Sequence, residues 1–443
     1  MANLTVDFTK EIGKIKPMHA VGQPPFVGMD FSYVSYLKEA NIPYSRLHDV
    51  GGAYGGFKFV DIPNIFRDFD ADENDPNSYD FAFTDVLIQA LMDNNCPPVF
   101  RLGVTIENYP HIKIYRIHPP ADFAKWARIC EHIVRHYNEG WADGFHYGIE
   151  YWEIWNEPEN NGPTPKNMMW TGTMEQYLEL YGITAKHLKN CFGDTIKVGG
   201  FASCGFYGLW GDPKKYGMDI EFREKEHGDL AKEYYIDFFK AFLAYNKENN
   251  VPMDFFSWHS YANVQDTMVM AKFVEKTMNE YGYGDVETHL NEWNNAHTRY
   301  KRGKSVASVQ ACAMLCGMQS TKTTMLCYYD ARIGHSVYGG LFNPITYEPF
   351  CTYYPFKAFG ELYKMGTQVA CDSDDSEVYA VAAMGNGKKG VLIANCNKEP
   401  ITLKTNLEVD FKLYRIDENH LMTEDIFAPE IEVDAEQVLF IVK

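Results

Sequence analysis

Two short stretches carry carboxylates placed for acid–base and nucleophilic work. Residues 150–159 read EYWEIWNEPE, and His289-Leu290-Asn291-Glu292-Trp293 repeats the arrangement: a short strand, then Asn-Glu, then an aromatic residue. Tyr151, Trp152, Ile154 and Trp155 are aromatic or β-branched and fit a pleated, buried strand. Pro158 has no N–H for a neighbouring strand, so the ladder is expected to stop there, with Glu157 at its carboxyl end. Cleaving a glycosidic bond through a covalent intermediate needs a protonated carboxyl at the leaving oxygen and an ionised one below the anomeric carbon. The two stand about 5–5.5 Å apart for retention and about 6.5–9.5 Å for inversion. Glu157 is expected to be the acid/base, its proton held by burial and by the second carboxylate. Glu292 is then the nucleophile. A Glu between Asn and Pro is also ordinary turn punctuation; the second Asn-Glu, 135 positions later, favours chemistry.

Such side chains must be held by a frame. After Lys16 the pattern alternates strand and helix, the mark of a parallel sheet with covering helices. Strands are expected at 19–22, 44–48, 99–104, 150–156, 197–201, 255–259, 287–292 and 324–329. Helices are expected at 31–40, 83–93, 123–137, 174–189, 234–247, 268–281, 306–318 and 354–364. In the third of these Phe123, Trp126, Ala127, Cys130, Val134 and Tyr137 recur at spacings of three and four. Eight strands and eight helices predict an α/β fold, a (β/α)8 TIM barrel over 16–365, with site residues at the carboxyl ends of its strands. Short β-rich segments from 366 to 443, parted by turns such as Gly385-Asn386-Gly387, predict a small antiparallel β-sandwich domain. The alternating strand within 1–15 is expected to join it. Long connections at 51–80, 202–229 and 331–352 would rise over the active face. The second carries Phe206, Tyr207, Trp210 and Tyr216, which are sugar platforms or, more simply, rim packing.

The 443 residues contain 41 Lys+Arg against 60 Asp+Glu, a net charge of −19, which argues against nucleic acid or an anionic membrane as partner. Ten cysteines show no zinc-like spacing, and a reduced compartment follows. With no apolar leader and no run of 18 apolar residues, a cytoplasmic location is expected. The acidic run Asp68, Asp70, Asp72, Glu73 and Asp75 lacks the glycine and closing glutamate of a calcium loop. No metal and no cofactor are expected, since two carboxylates suffice.

The motifs Trp155-Asn156-Glu157-Pro158 and Asn291-Glu292-Trp293 are joined by Arg46-Leu47-His48-Asp49 and Trp258-His259-Ser260-Tyr261. Together they resemble glycoside hydrolase family 39, the β-xylosidase and α-L-iduronidase family within the retaining (β/α)8-barrel clan. The resemblance implies that Glu157 is the acid/base, Glu292 the nucleophile, and Asn156 the reader of the sugar 2-hydroxyl. It further implies that Arg46 and His48 line the floor, and that His259 and Tyr261 flank the nucleophile, with Tyr261 bonded to Glu292. Where relatives often carry a Trp after the eighth strand, this chain has Tyr328-Tyr329-Asp330, so Tyr329 takes the floor position. The expectation is a retaining exo-glycosidase, β-xylosidase-like, acting on an oligosaccharide or glycoside. Two rivals are the same mechanism on another sugar, including a uronide met by Arg299, Lys301 or Arg302, and a non-catalytic glycan-binding barrel. The sequence leaves oligomeric state open.

Overall fold

The computed structural model describes residues 1–25, 32–50, 60–105, 117–163, 167–220, 222, 233–298, 300–333 and 338–443. Among them, eight parallel strands close a barrel in chain order: β2 (Ala20–Gly22), β3 (Ser45–Leu47), β4 (Pro98–Leu102), β5 (Tyr151–Ile154), β6 (Lys197–Ser203), β7 (Phe255–Ser260), β8 (Glu287–Trp293) and β9 (Met325–Tyr328). Every one falls where the periodicity put it. Around them stand α1 (Ser35–Glu39), α2 (Ile62–Ile65), α3 (Ala82–Asp93), α4 (Phe123–Asn138), α5 (Met174–Phe192), α6 (Glu233–Glu248), α7 (Val264–Tyr281), α8 (Ser305–Gln319) and α9 (Tyr353–Met365). Short α2 lies in the connection after β3 and was not anticipated.

Local chemistry starts and stops these helices. Asp122 caps α4 by accepting from the Lys125 N–H, and Thr173 with Gln176 forms a reciprocal capping box on α5. Asn263 caps α7, which ends at Gly282 with φ of 86°, a left-handed turn only glycine adopts freely. The buried face of α4 is the predicted one, with Trp126, Ala127, Cys130, Val134 and Tyr137 turned inward.

The remaining strands form one nine-stranded sheet built from β1 (Ala2–Lys14), β10 (Thr367–Ser373), β11 (Val378–Gly385), β12 (Lys388–Asn395), β13 (Ile401–Thr405), β14 (Lys412–Ile416), β15 (Leu421–Asp425), β16 (Glu430–Val433) and β17 (Gln437–Val442). Its order is β15-β14-β17-β12-β11-β10-β1-β13-β16. The sheet curls, so Leu4, Val6, Val369, Leu403, Leu413 and Ile441 meet in a core of their own. Its opposite face, with Val381, Leu392 and Phe440, merges into the core around the barrel helices. All pairings are antiparallel except one, since β1 runs parallel to β13, so the sheet is mixed. The β-rich segments expected at 378–383, 390–395, 401–404, 409–416 and 438–442 correspond to β11, β12, β13, β14 and β17. Strands β10, β15 and β16 had no counterpart; β15 is almost wholly exposed and lacks the buried stripe that marks a strand.

Candidate active site

Most of the site residues stand on, or just beyond, the carboxyl ends of the barrel strands. Arg46 lies on β3 with His48 just past it, and Glu153 on β5 with Asn156 and Glu157 past it. His259 is on β7 with Tyr261 past it, Glu292 is on β8, and Tyr329 follows β9. The chain beyond β5 is sharply turned, with φ of 72° at Trp155 and 45° at Glu157. Such left-handed conformations are costly for side-chain-bearing residues and persist only where surroundings hold them. Here the Trp155 backbone N–H donates to Leu102 O (2.8 Å), and the Glu157 N–H donates to Ala202 O (3.0 Å). The Trp155 indole N–H donates to Met169 O (3.0 Å).

On β8 the register slips: Leu290 pairs with Trp258, but Glu292 pairs with His259, leaving Asn291 as a bulged extra residue. Successive strand side chains normally point to opposite faces. The bulge lets both neighbours turn inward: Asn291 donates to Glu153, and Glu292 accepts from Arg46.

Beneath the mouth, fully buried Glu153 is held by Arg46 Nε (2.7 Å), Ser257 Oγ (2.6 Å) and the Asn291 amide, the basic partner a buried carboxylate requires. Arg46 also donates to Asn156 Oδ1 (2.6 Å) and Glu292 Oε2 (3.2 Å). The Asn156 amide nitrogen is buried with no partner among the described residues and is available there as a donor. Tyr261 donates to Glu292 Oε1 (2.5 Å), and Asn160 donates to Glu157 Oε2 (2.6 Å). Between the carboxyls stands His259, its Nδ1 2.7 Å from Glu157 and its Nε2 3.7 Å from Glu292. One oxygen of each carboxyl and one ring nitrogen of His259 lie within 4.8 Å of one another.

Burial pushes both carboxyls up. At Glu157, where burial and the second carboxylate were expected to hold the proton, the hydrogen bond and charge of His259, with Asn160, outweigh burial and instead hold the group below its ordinary value. At Glu292 burial, with the charge of Glu157, outweighs the pull of His259, Arg46 and Tyr261, so that carboxyl stays raised. The pair titrates as a unit. His48 is held neutral, well below the usual imidazole range, by burial and by the nearby Arg101 and Arg46. Its Nε2 lies 3.3 Å from Asp49, which also accepts from the Tyr329 hydroxyl (2.7 Å).

Glu157, Glu292, His48, Tyr261 and Tyr329 line one cavity of about 400 Å³. Arg46, Asn156 and His259 sit directly behind it. All eight expected site residues therefore converge. The cavity also takes Asp49, Asn160, Asn161, Cys204, Tyr235, His297 and Tyr338, which the motifs alone did not single out. Only Asp49 and Asn160 had a signal, lying inside or next to the quoted motifs. Of the loop aromatics, Tyr207 and Trp210 line the cavity. Phe206 instead packs on Phe239, Trp258 and Phe273, and Tyr216 packs on Phe273. Arg299 and the first part of the connection after β3 lie outside the described residues. A second hollow, about 710 Å³, opens beside Pro158 and Trp170 without reaching either carboxyl. Among the described residues two sets carry metal-ligating atoms close together, Glu157–His259–Glu292 and Glu131–His187–Cys191. Hydrogen bonds already tie His259 to Glu157, and Arg135 and His187 to Glu131.

A closed parallel barrel with two buried carboxyls facing across its mouth defines a (β/α)8 protein built around a paired-carboxyl cleft. The sequence model described as Glycosyl hydrolases family 39 matches residues 54–297, more than half of the chain, and the chain belongs to that family. It is 25% identical over 325 residues to a β-xylosidase of Caldicellulosiruptor saccharolyticus, a match covering 66% of this chain and 56% of that protein. It is also 25% identical over 250 residues to a β-xylosidase of Geobacillus stearothermophilus, covering 52% and 40%. The chain thus spans about half the length of the curated relatives it matches. Among solved structures, a glucosidase from Croceicoccus marinus superposes with a TM-score of 0.78 at 20% identity, covering 100% of this chain and 98% of that one. A family 39 β-xylosidase from Caulobacter crescentus gives 0.68 at 16%, covering 99% of each. At these identities the likeness is one of fold.

Proposed function

We propose that the protein is a retaining, exo-acting glycosidase, β-xylosidase-like, that removes pentose-type units from oligosaccharides by double displacement. The observation that carries this reading is the carboxyl pair: oxygens of Glu157 and Glu292 within 4.8 Å. The separation of about 5–5.5 Å between carboxyl groups in retaining sites is the nearer match, since inverting sites hold theirs about 6.5–9.5 Å apart to admit a water. Glu292 attacks the anomeric carbon while Glu157 protonates the leaving oxygen; Glu157 then activates the water that releases the sugar.

In the resting site the His259 contact favours an ionised Glu157 while burial keeps Glu292 raised. The roles assigned here therefore require the proton shared by the pair to rest on Glu157 once substrate is bound, leaving Glu292 a carboxylate. Arg46 and Tyr261 then stabilise that carboxylate, and the unpartnered Asn156 amide is placed for the 2-hydroxyl. The neutral-sugar reading is supported by the lining, which among the described residues contains neither Lys nor Arg. Exo-action is supported by Tyr207, Trp210 and Tyr338, loop residues that wall the cavity. The family β-xylosidases support the choice of xylose-like units.

Glu292→Ala is expected to abolish turnover of nitrophenyl β-xyloside, and azide to restore it as a glycosyl azide of inverted anomeric configuration. Glu157→Ala should spare substrates with good leaving groups, which need little protonation. Wild-type rates in both variants across a panel of β-xyloside, α-arabinoside, β-glucoside and β-galactoside would sink the assignment. A wild-type protein that binds these sugars and cleaves none is the glycan-binding module instead.

A further inference from the structure

Two residues beyond Glu157 lies a third carboxyl that the reaction does not use. Glu159 has no solvent exposure. Its Oε1 accepts from Ser203 Oγ (2.8 Å) and from the Cys204 backbone N–H (2.7 Å), both at the end of β6. Its buried Oε2 has no hydrogen-bond partner among the described residues. Around it stand Glu157 on its own loop, the Cys204 thiol after β6, Tyr177 on α5, and Tyr234 and Tyr235 on α6. None of these described neighbours is a cation. A carboxylate in that position would place a bare, desolvated charge beside the catalytic pair, whereas a carboxylic acid would not.

We propose that Glu159 is a positioning residue held as a neutral carboxylic acid, which pins the loop carrying Glu157 to the end of β6. The inference rests on Glu157 being the acid/base, as proposed above. Its geometry has two fastenings. The Glu157 N–H donates to Ala202 O, and two residues on, the Glu159 carboxyl grips Ser203 and Cys204. Rigid Pro158 stands between them. The loop is thereby stitched to three consecutive residues of one neighbour, and the reach of Glu157 toward a leaving oxygen is set from behind. The neutral form also keeps a second negative charge away from Glu157. Burial, with the charge of Glu157 added, raises the Glu159 carboxyl to about 8 despite the Ser203 hydrogen bond.

The test uses Glu159→Gln, which keeps an oxygen acceptor and cannot ionise, and Glu159→Ala, which removes the grip. A carboxyl raised in the folded state stabilises the fold fully below its ordinary value and progressively less as pH climbs toward about 8. The melting temperature of E159Q should therefore gain on wild type by about 3 °C or more between about pH 5 and about pH 9. In E159A, kcat should fall about tenfold or more on poor leaving groups and far less on good ones, because only the former need a placed acid. E159Q should recover most of that loss. A melting-temperature gap between wild type and E159Q that stays flat with pH overturns the neutral form. E159Q as impaired as E159A, or a loss in E159A independent of leaving group, overturns the positioning role. The melting series needs no turnover, so its outcome stands apart from that of the glycosidase reading.

Discussion

Tyr261 and Arg46 serve one carboxylate in different ways. Arg46 is locked by Glu153 and Asn156 before it reaches Glu292 at 3.2 Å, so its charge is fixed in place. Tyr261 spends its hydroxyl on Glu292 alone and packs its ring against His297 and Tyr338. Tyr261→Phe therefore keeps the packing and deletes one donor. A hydrogen bond to a charged group contributes about 1.5–3 kcal/mol, so kcat/KM should drop about 10- to 100-fold. Loss of a donor to the anion raises the Glu292 carboxyl further, and the acid limb of the pH–rate profile should move to higher pH. An unmoved limb would mean that Tyr261 does not stabilise the charge. At this scale the role of Tyr261 came from the family resemblance alone, while the strand-end Asn-Glu pairs and Arg46 and His48 were legible, because polar residues inside otherwise apolar strands must have partners. Tyr338 and His297 were not, since nothing in a loop's composition says which cavity it bends over.

Elements were legible wherever one face is buried. The eight barrel strands and their helices followed from runs of apolar residues and from spacings of three and four. The bulge at Asn291 was hidden, because a register slip leaves no trace in residue type. The turn at Trp155 was equally silent: tryptophan gives no hint of a φ of 72°. Its indole, wedged between Trp126 and Trp170 and bonded to Met169 O, over-determines that conformation. Trp155→Phe would leave the Met169 carbonyl without its donor, at a cost of about 1–3 kcal/mol, and would loosen the turn that aims Glu157. Chemical denaturation should register the first effect, and a kcat loss greater for poor leaving groups the second. Equal loss for all leaving groups would assign Trp155 to stability alone.

Across the whole molecule, the barrel and the curled sheet share a core through α8 and α9, where Val381, Leu392 and Phe440 face inward. The sheet holds an early strand between late ones: β1 pairs with β10 on one side and β13 on the other. That β1 belongs with the later strands was readable, since it alternates cleanly and precedes any barrel strand. The parallel pairing with β13 was not, because alternation records burial and not direction. Leu4 and Val6 are each buried, contributing about 1.5–3 kcal/mol apiece. Deleting residues 1–14 should lower the melting temperature by several degrees and increase binding of an apolar dye. Unchanged values would show that the sheet closes without this interior strand.

The place of β1 also sets a timetable for biosynthesis. Ala2–Lys14 leaves the ribosome before any of the barrel, yet its neighbours β10 and β13 begin only at Thr367 and Ile401. Through most of translation it carries an apolar stripe and two open hydrogen-bonding edges, the features that invite a foreign strand. Its exposed end carries Lys10, Glu11 and Lys14, charges that discourage such encounters until its own partners arrive.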